Sequence, residues 1–268
     1  MKSVGCNRAF LGLALGVMGV ILGFSTTPVN AASDVATIRK AAEQGNAAAQ
    51  FNLGVLYATG EGVTQDDDQA VAWYRKSAEQ GHAAAQSFLG YMHELGRGVP
   101  KDDKAAIEWY RKAAEQGDTV SQFYLGNKYV NGEGVPRDNR AAAEWYRKAA
   151  EQGHAAAQVS LGSMYVSGVG VPQGYKQAIE WFAKSAAQGY AEAQQQLGFM
   201  YANGHGVPQN YMDSYVWYNL AAAQGDAEAI QNRDFAAALL SPDQMMQAQD
   251  LSIQLQAQID DEIAKKKP

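Results

Sequence analysis

The side chains able to do acid–base or metal chemistry are few and scattered. Histidines stand at His82, His93, His154 and His205, three aspartates run together from Asp66 to Asp68, and the single cysteine is Cys6. A transition-metal site needs three or four converging ligands. A calcium loop needs a glycine midway and a distal bidentate glutamate. Neither pattern accompanies these residues. A penicillin-recognising serine enzyme carries Ser-x-x-Lys with Ser-Asp-Asn and Lys-Thr-Gly elements, and the chain has none of the three. It also lacks a Gly-x-Ser-x-Gly elbow, a phosphate loop and a His-Glu-x-x-His helix. The residues therefore point to no catalytic group, no metal and no cofactor. His93 takes the place held elsewhere by Tyr57, Tyr129, Tyr165 and Tyr201, as a ring filling a tyrosine-sized slot. His82 and His154 are expected to lie exposed at helix starts, and His205 falls inside a glycine turn.

What must position these groups is a repeat. The ten residues EWYRKAAEQG run from Glu108 to Gly117 and return unchanged from Glu144 to Gly153, 36 residues on. All five tryptophans, Trp73, Trp109, Trp145, Trp181 and Trp217, keep that spacing. So do the glycine pairs Gly60/Gly62, Gly96/Gly98, Gly132/Gly134, Gly168/Gly170 and Gly204/Gly206. A fixed period of this length marks stacked supersecondary units. Each unit reads as helix, loop, helix, turn. Asn46, Asp118 and Asp226 suit the N-cap of a first helix, and Asp66, Asp102 and Asp138 that of a second. Ala49, Leu53 and Tyr57 share one face of the first helix. Gly54 and its counterparts at 90, 126, 162 and 198 cost helix propensity, which predicts close approach of another helix. Ala70, Trp73, Ser77 and Ala78 are expected to be the buried stripe of the second helix, with each tryptophan anchoring a seam.

The ends depart from the period. Lys2 and Arg8 precede an apolar run from Ala9 to Phe24, 16 residues or roughly 24 Å of helix, short of a ~30 Å hydrocarbon core. This predicts a signal peptide over residues 1–31, cleaved after Ala31, and hence a periplasmic or secreted protein with no stable membrane span and no thiol. Its removal takes the formal charge from −6 to −8. An acidic body argues against a nucleic-acid partner. Residues 32–43 match half a unit and are expected to be an N-terminal capping helix, followed by five repeats over 44–223. Capping helices are expected over 224–264, with a basic tail at 265–268. Ser241, Pro242 and Gln244 form a capping box, and Arg233 stands in the leucine column.

The units starting GHAAAQSFLGYMHELGRGV at Gly81 and GDTVSQFYLGNKYVNGEGV at Gly117 resemble the SEL-one-like repeat family, relatives of the tetratricopeptide repeat. The resemblance spans about Asp34 to Leu240. It implies an all-α fold, a right-handed α-solenoid of antiparallel helix pairs, and a protein or peptide partner. A cysteine-rich branch of the family has been labelled β-lactamase, but its units carry disulfides and this chain lacks those cysteines.

In such a solenoid the face of the first helices opposite Ala49/Leu53/Tyr57 would line a concave groove. There the sequence places Phe51, Val55, Tyr91, Leu95, Phe123, Asn127, Ser163, Phe199 and Asn203 as candidate partner-binding residues. Aromatics mixed with amides suit peptide recognition. Phenylalanine at helical spacing also suits core packing, so Phe51 and Phe123 stay open between the two roles. The leading expectation is an exported, non-enzymatic adaptor. A weak hydrolase of cell-wall or β-lactam amides and a non-catalytic peptidoglycan binder are the alternatives.

Overall fold

The computed structural model describes residues 31–265, all of whose regular structure is helical. The expected signal peptide, apart from Ala31, and the tail beyond Lys265 lie outside the described residues. Thirteen helices follow in order among the described residues. They are α1 (Ala31–Glu43), α2 (Ala47–Thr59), α3 (Asp67–Glu79), α4 (Ala83–Leu95), α5 (Asp103–Glu115), α6 (Thr119–Asn131) and α7 (Asn139–Glu151). Then come α8 (Ala155–Ser167), α9 (Tyr175–Ala186), α10 (Ala191–Asn203), α11 (Tyr211–Ala223), α12 (Ala227–Ala237) and α13 (Pro242–Lys265). The fold is an all-α repeat solenoid. Packing divides it into two compact units, one up to Ala113 and one from Ala114, the boundary falling inside α5.

Each hairpin starts and stops where its residues dictate. Asn46, Asp118 and Asp226 accept the Ala49, Ser121 and Ala229 N–H groups, capping α2, α6 and α12. Asp66, Asp102 and Asp138 cap α3, α5 and α7 in the same way. The first glycine of each pair, such as Gly60 at φ 76°, ends the first helix in the left-handed region that only glycine enters freely. The loop closes when the N–H of the second-helix cap donates back, as Asp66 does to the Tyr57 carbonyl at 2.9 Å. At the end of the chain Ser241 and Gln244 exchange the two hydrogen bonds of the capping box, and Arg233 is paired with Asp234.

The second glycine of a pair does a different job. A Cβ on Gly98 would sit on the Asp67 carbonyl, and one on Gly170 on the Asn139 carbonyl. The loops carrying Gly98 and Gly170 thus rest directly on the N-terminus of the preceding second helix. At the first of these seams Arg97 adds a two-pronged bond to Asp67, with its Nε at 2.9 Å.

The core corrects one expectation. The fully buried rings are Tyr74, Tyr110 and Phe182, with Tyr146 and Tyr218 close behind, and not the tryptophans one residue earlier. Ala70, Tyr74, Ser77 and Ala78 make the stripe, and one residue is about 100° of helix, enough to move the indole to its edge. Each ring of the tyrosine column lies against the mid-helix glycine of its own unit, where a Cβ would come within 2.6 Å of Tyr74 or Phe182. Trp73, Trp109, Trp145 and Trp181 stay half-exposed. Lysines three residues on hold their ammonium groups 3.9–4.1 Å from the indole centroids. The cation–π attraction covers the outer edge of the helix with the lysine stem.

A second recurring column is polar. Gln50, Gln86, Gln122 and Gln158 are buried and donate to the carbonyls of Ala42, Ala78, Ala114 and Ala150. The amide oxygens of Gln50, Gln122 and Gln158 accept from Gln80, Gln152 and Gln188, 30 residues on. Amides stitched across successive turns satisfy buried carbonyls that helix ends would otherwise leave bare. Lys128 departs from a column otherwise filled by Leu56, Met92, Met164 and Met200. It is buried, and its ammonium meets Glu133 at 2.8 Å.

Beyond the repeats α12 and α13 close on α11. Tyr215, Val216, Ala236 and Ala248 form one cluster with Met245 and Leu255 around it. The far end of α13 reaches back so that Ile263 and Ile259 approach Gly189.

Candidate functional site

The four histidines serve the scaffold. His82 and His154 are N-caps whose Nδ1 atoms accept the Ala85 and Ala157 N–H groups at 3.3 and 3.2 Å. Their rings stack on Phe51 and Phe123 with centroids 5.1 and 4.8 Å apart. They are half-buried rather than exposed as expected, because the capping geometry folds each ring back over the preceding first helix. His93 fills the tyrosine slot. In other units an arginine donates to the tyrosine hydroxyl there, as Arg39 does to Tyr57 and Arg147 to Tyr165. At His93 Arg75 joins burial in pushing the imidazole down from its usual pKa, against an opposing pull from Asp102.

Burial also lowers the pKa values of His82 and His154. A depressed imidazole favours the neutral folded form, so its contribution is complete above the unfolded value of about 6.5. It is lost as pH falls from there through the folded value, where the unfolded chain binds the extra proton. The raised carboxyl groups of Glu192 and Asp213 work in the opposite sense, adding stability as pH falls from their raised values toward the ordinary carboxylate range. Urea midpoints measured at pH 7.5 and 5.5 are expected to fall with acidification. The His82→Asn, His154→Asn double variant keeps a capping acceptor without the titration and is expected to show a smaller drop. An equal drop would show that the caps are not responsible.

The nine candidate partner-binding residues separate sharply. Phe51, Val55 and Tyr91 are in the core, which corrects their assignment to an open face. Phe51 is wedged between Tyr74, His82 and Phe88. The reason is geometric: a first helix must cover its own second helix and the next unit as well, so its buried arc is wider than one stripe. Phe123 is half-buried against Tyr124, Tyr146 and His154. Asn127 accepts the Tyr146 hydroxyl at 2.6 Å, and burial raises that phenol to about 12. Leu95 is exposed in the first compact unit. Ser163, Phe199 and Asn203 are exposed in the second, Phe199 at 41%.

Phe199 borders a shallow cleft of about 210 Å³ that the sequence did not disclose. Gln195, Gln196 and Phe199 of α10 form one wall and Glu228 and Asn232 of α12 the other, with Tyr218 of α11 lining the cleft between them. Tyr218 is held above the usual tyrosine range, at about 12, by burial and then by the Glu228 carboxylate. On its other side Phe199 meets His205 edge-on at 5.6 Å, and His205 stacks flat on Tyr175 at 4.7 Å. Phe199 signalled the α10 wall of this cleft in the sequence, whereas Glu228 and Asn232 lie where the repeat pattern breaks down.

A family model of the Sel1 repeat matches five consecutive 36-residue segments, 47–82, 83–118, 119–154, 155–190 and 191–226. The chain belongs to the Sel1 repeat family. Comparison with curated proteins gives no match. Among solved structures, this Sel1 repeat chain is similar to a protective antigen present in uropathogenic Escherichia coli strains, which displays an SLR fold. Identity is 36% and the TM-score 0.78, over 96% of this chain and 55% of that one. The Sel1 repeat chain thus spans little more than half of that protein. A Sel1 repeat protein from Oxalobacter formigenes is 29% identical with a TM-score of 0.68, over 83% of this chain and 99% of that one. Sel1 repeat proteins are scaffolds of a fold generally used for protein interaction. None of the helices among the described residues is long and apolar enough to cross a membrane.

Proposed function

We propose that this Sel1 repeat chain is an exported adaptor that binds an extended segment of a partner protein along the first-helix face of its second compact unit. The observation carrying this is the exposed surface on α8 and α10. Ser163, Phe199 and Asn203 are exposed there, with Phe199 bordering the cleft, while the neighbouring columns are consumed by packing. An aromatic edge ringed by amides can hold a peptide backbone and bury an apolar side chain together. Export is supported by the basic start and short apolar run before Ala31, and by likeness to a protective antigen. Envelope or host interaction fits both. The chain acts as a scaffold and not as an enzyme.

A photo-crosslinking residue placed at Ser163 or Asn203 is expected to capture a discrete partner in intact Gram-negative cells. The same residue at Glu144, exposed on α7, is expected to capture none. Adducts formed equally from Glu144 would defeat the face assignment. In the same cells the chain should appear in the periplasm or medium beginning at Ala32, and retention of the whole chain in the cytoplasm would refute export.

A further inference from the structure

The cleft under Phe199 has a chemistry of its own, and the inference drawn from it rests on the adaptor reading above. Small-molecule pockets occupy roughly 300–1,000 Å³. This one, at about 210 Å³, is sized for a single side chain. Its lining holds one charged group, the Glu228 carboxylate, and no cation. Gln195, Gln196 and Asn232 add carboxamides, whose oxygens can accept from a cation, and Tyr218 and Phe199 supply ring surface. One turn before Gln195, Glu192 is exposed and close enough to Asp226 to feel its charge. The cation nearest in sequence, Arg233, is already held by Asp234 at 2.7 Å.

A site with anionic and carbonyl acceptors above aromatic faces is complementary to an ammonium or guanidinium on an apolar stem. The chain already uses that pairing internally, where Lys184 lies 4.1 Å from the Trp181 ring. We infer that the cleft between α10 and α12 receives a lysine or arginine side chain of the bound partner, with Glu228 as its counter-charge. The partner segment is therefore basic at this position, in keeping with the acidic body of the chain.

The test uses the full chain, isotope-labelled, titrated with N-acetyl-lysine methylamide, N-acetyl-glutamine methylamide and the neutral sugar N,N′-diacetylchitobiose, each to millimolar concentration. Amide shifts at Gln195–Phe199 and Glu228–Asn232 are expected with the lysine probe, at an affinity about tenfold above either neutral probe. Glu228→Gln keeps the shape and is expected to abolish that preference. Equal response to lysine and glutamine probes, no response at all, or a preference that survives Glu228→Gln would overturn the inference. A chitobiose response equal to that of lysine would make the cleft a glycan site instead. Capture from Ser163 and Asn203 in the crosslinking experiment is independent of these titrations. Loss of selectivity with capture retained removes the basic-side-chain assignment alone, whereas loss of both removes the adaptor reading too.

Discussion

Truncating Phe182 to alanine is expected to lower the unfolding free energy by about 3–5 kcal/mol, the usual cost of emptying a buried aromatic site. Trp181→Ala should cost only about 1–2 kcal/mol, since the indole gives up partial burial and one cation–π contact. Phe182 is 0% exposed, and it is packed with Ala178, Ala186, Val159 and Leu197 while lying over Gly162. Its removal opens a hole between two consecutive units that backbone on both sides keeps from collapsing. Trp181 covers the outer edge of the preceding cluster, where water can replace it. Urea titrations followed by far-UV circular dichroism will rank the two. A larger loss from Trp181→Ala would restore the tryptophans as the spine of the array.

Gly170→Ala should destabilise by about 2–5 kcal/mol, combining roughly 1–2 for a left-handed backbone at a residue with a Cβ and 1–3 for overpacking. Gly170 has φ 75°, and its new methyl group would meet the Asn139 carbonyl and the Met164 methyl. Backbone cannot rotate away as a side chain can. Gly153→Ala is the control, because Gly153 shares the positive φ, 91°, with nothing within 4 Å of the added carbon. It should cost about 1–2 kcal/mol. Equal losses at the two sites would mean that the unit-to-unit contact at Gly170 adds nothing beyond backbone strain. Because such arrays gain stability from neighbour contacts, the Gly170 variant should also broaden the transition as units uncouple.

Much of the fold was readable from spacing alone. A 36-residue period, paired glycines and aspartates at fixed offsets specify helix ends through local chemistry, and the caps at Asp66, Asp118 and Ser241 formed as their residue types require. The mid-helix glycines foretold a close contact, and Tyr74, Tyr146 and Phe182 supply it. Periodicity says which residues recur together, yet it cannot distinguish a column at the middle of a buried arc from one at its edge. Tyrosine and tryptophan sit side by side in every unit, and a turn of about 100° decided which was engulfed. The same ambiguity hid Phe51, Val55 and Tyr91 in the core while leaving Phe199 outside.

Local sequence determined where this chain turns, because capping and positive-φ demands are met within a few residues. Tertiary structure alone decided which surface stays free. The cleft arises where α12 no longer matches the repeat, so that Glu228 and Asn232 meet Gln195, Gln196 and Phe199 across a gap. Such a gap belongs to the packing of two helices, and no residue type records it in advance.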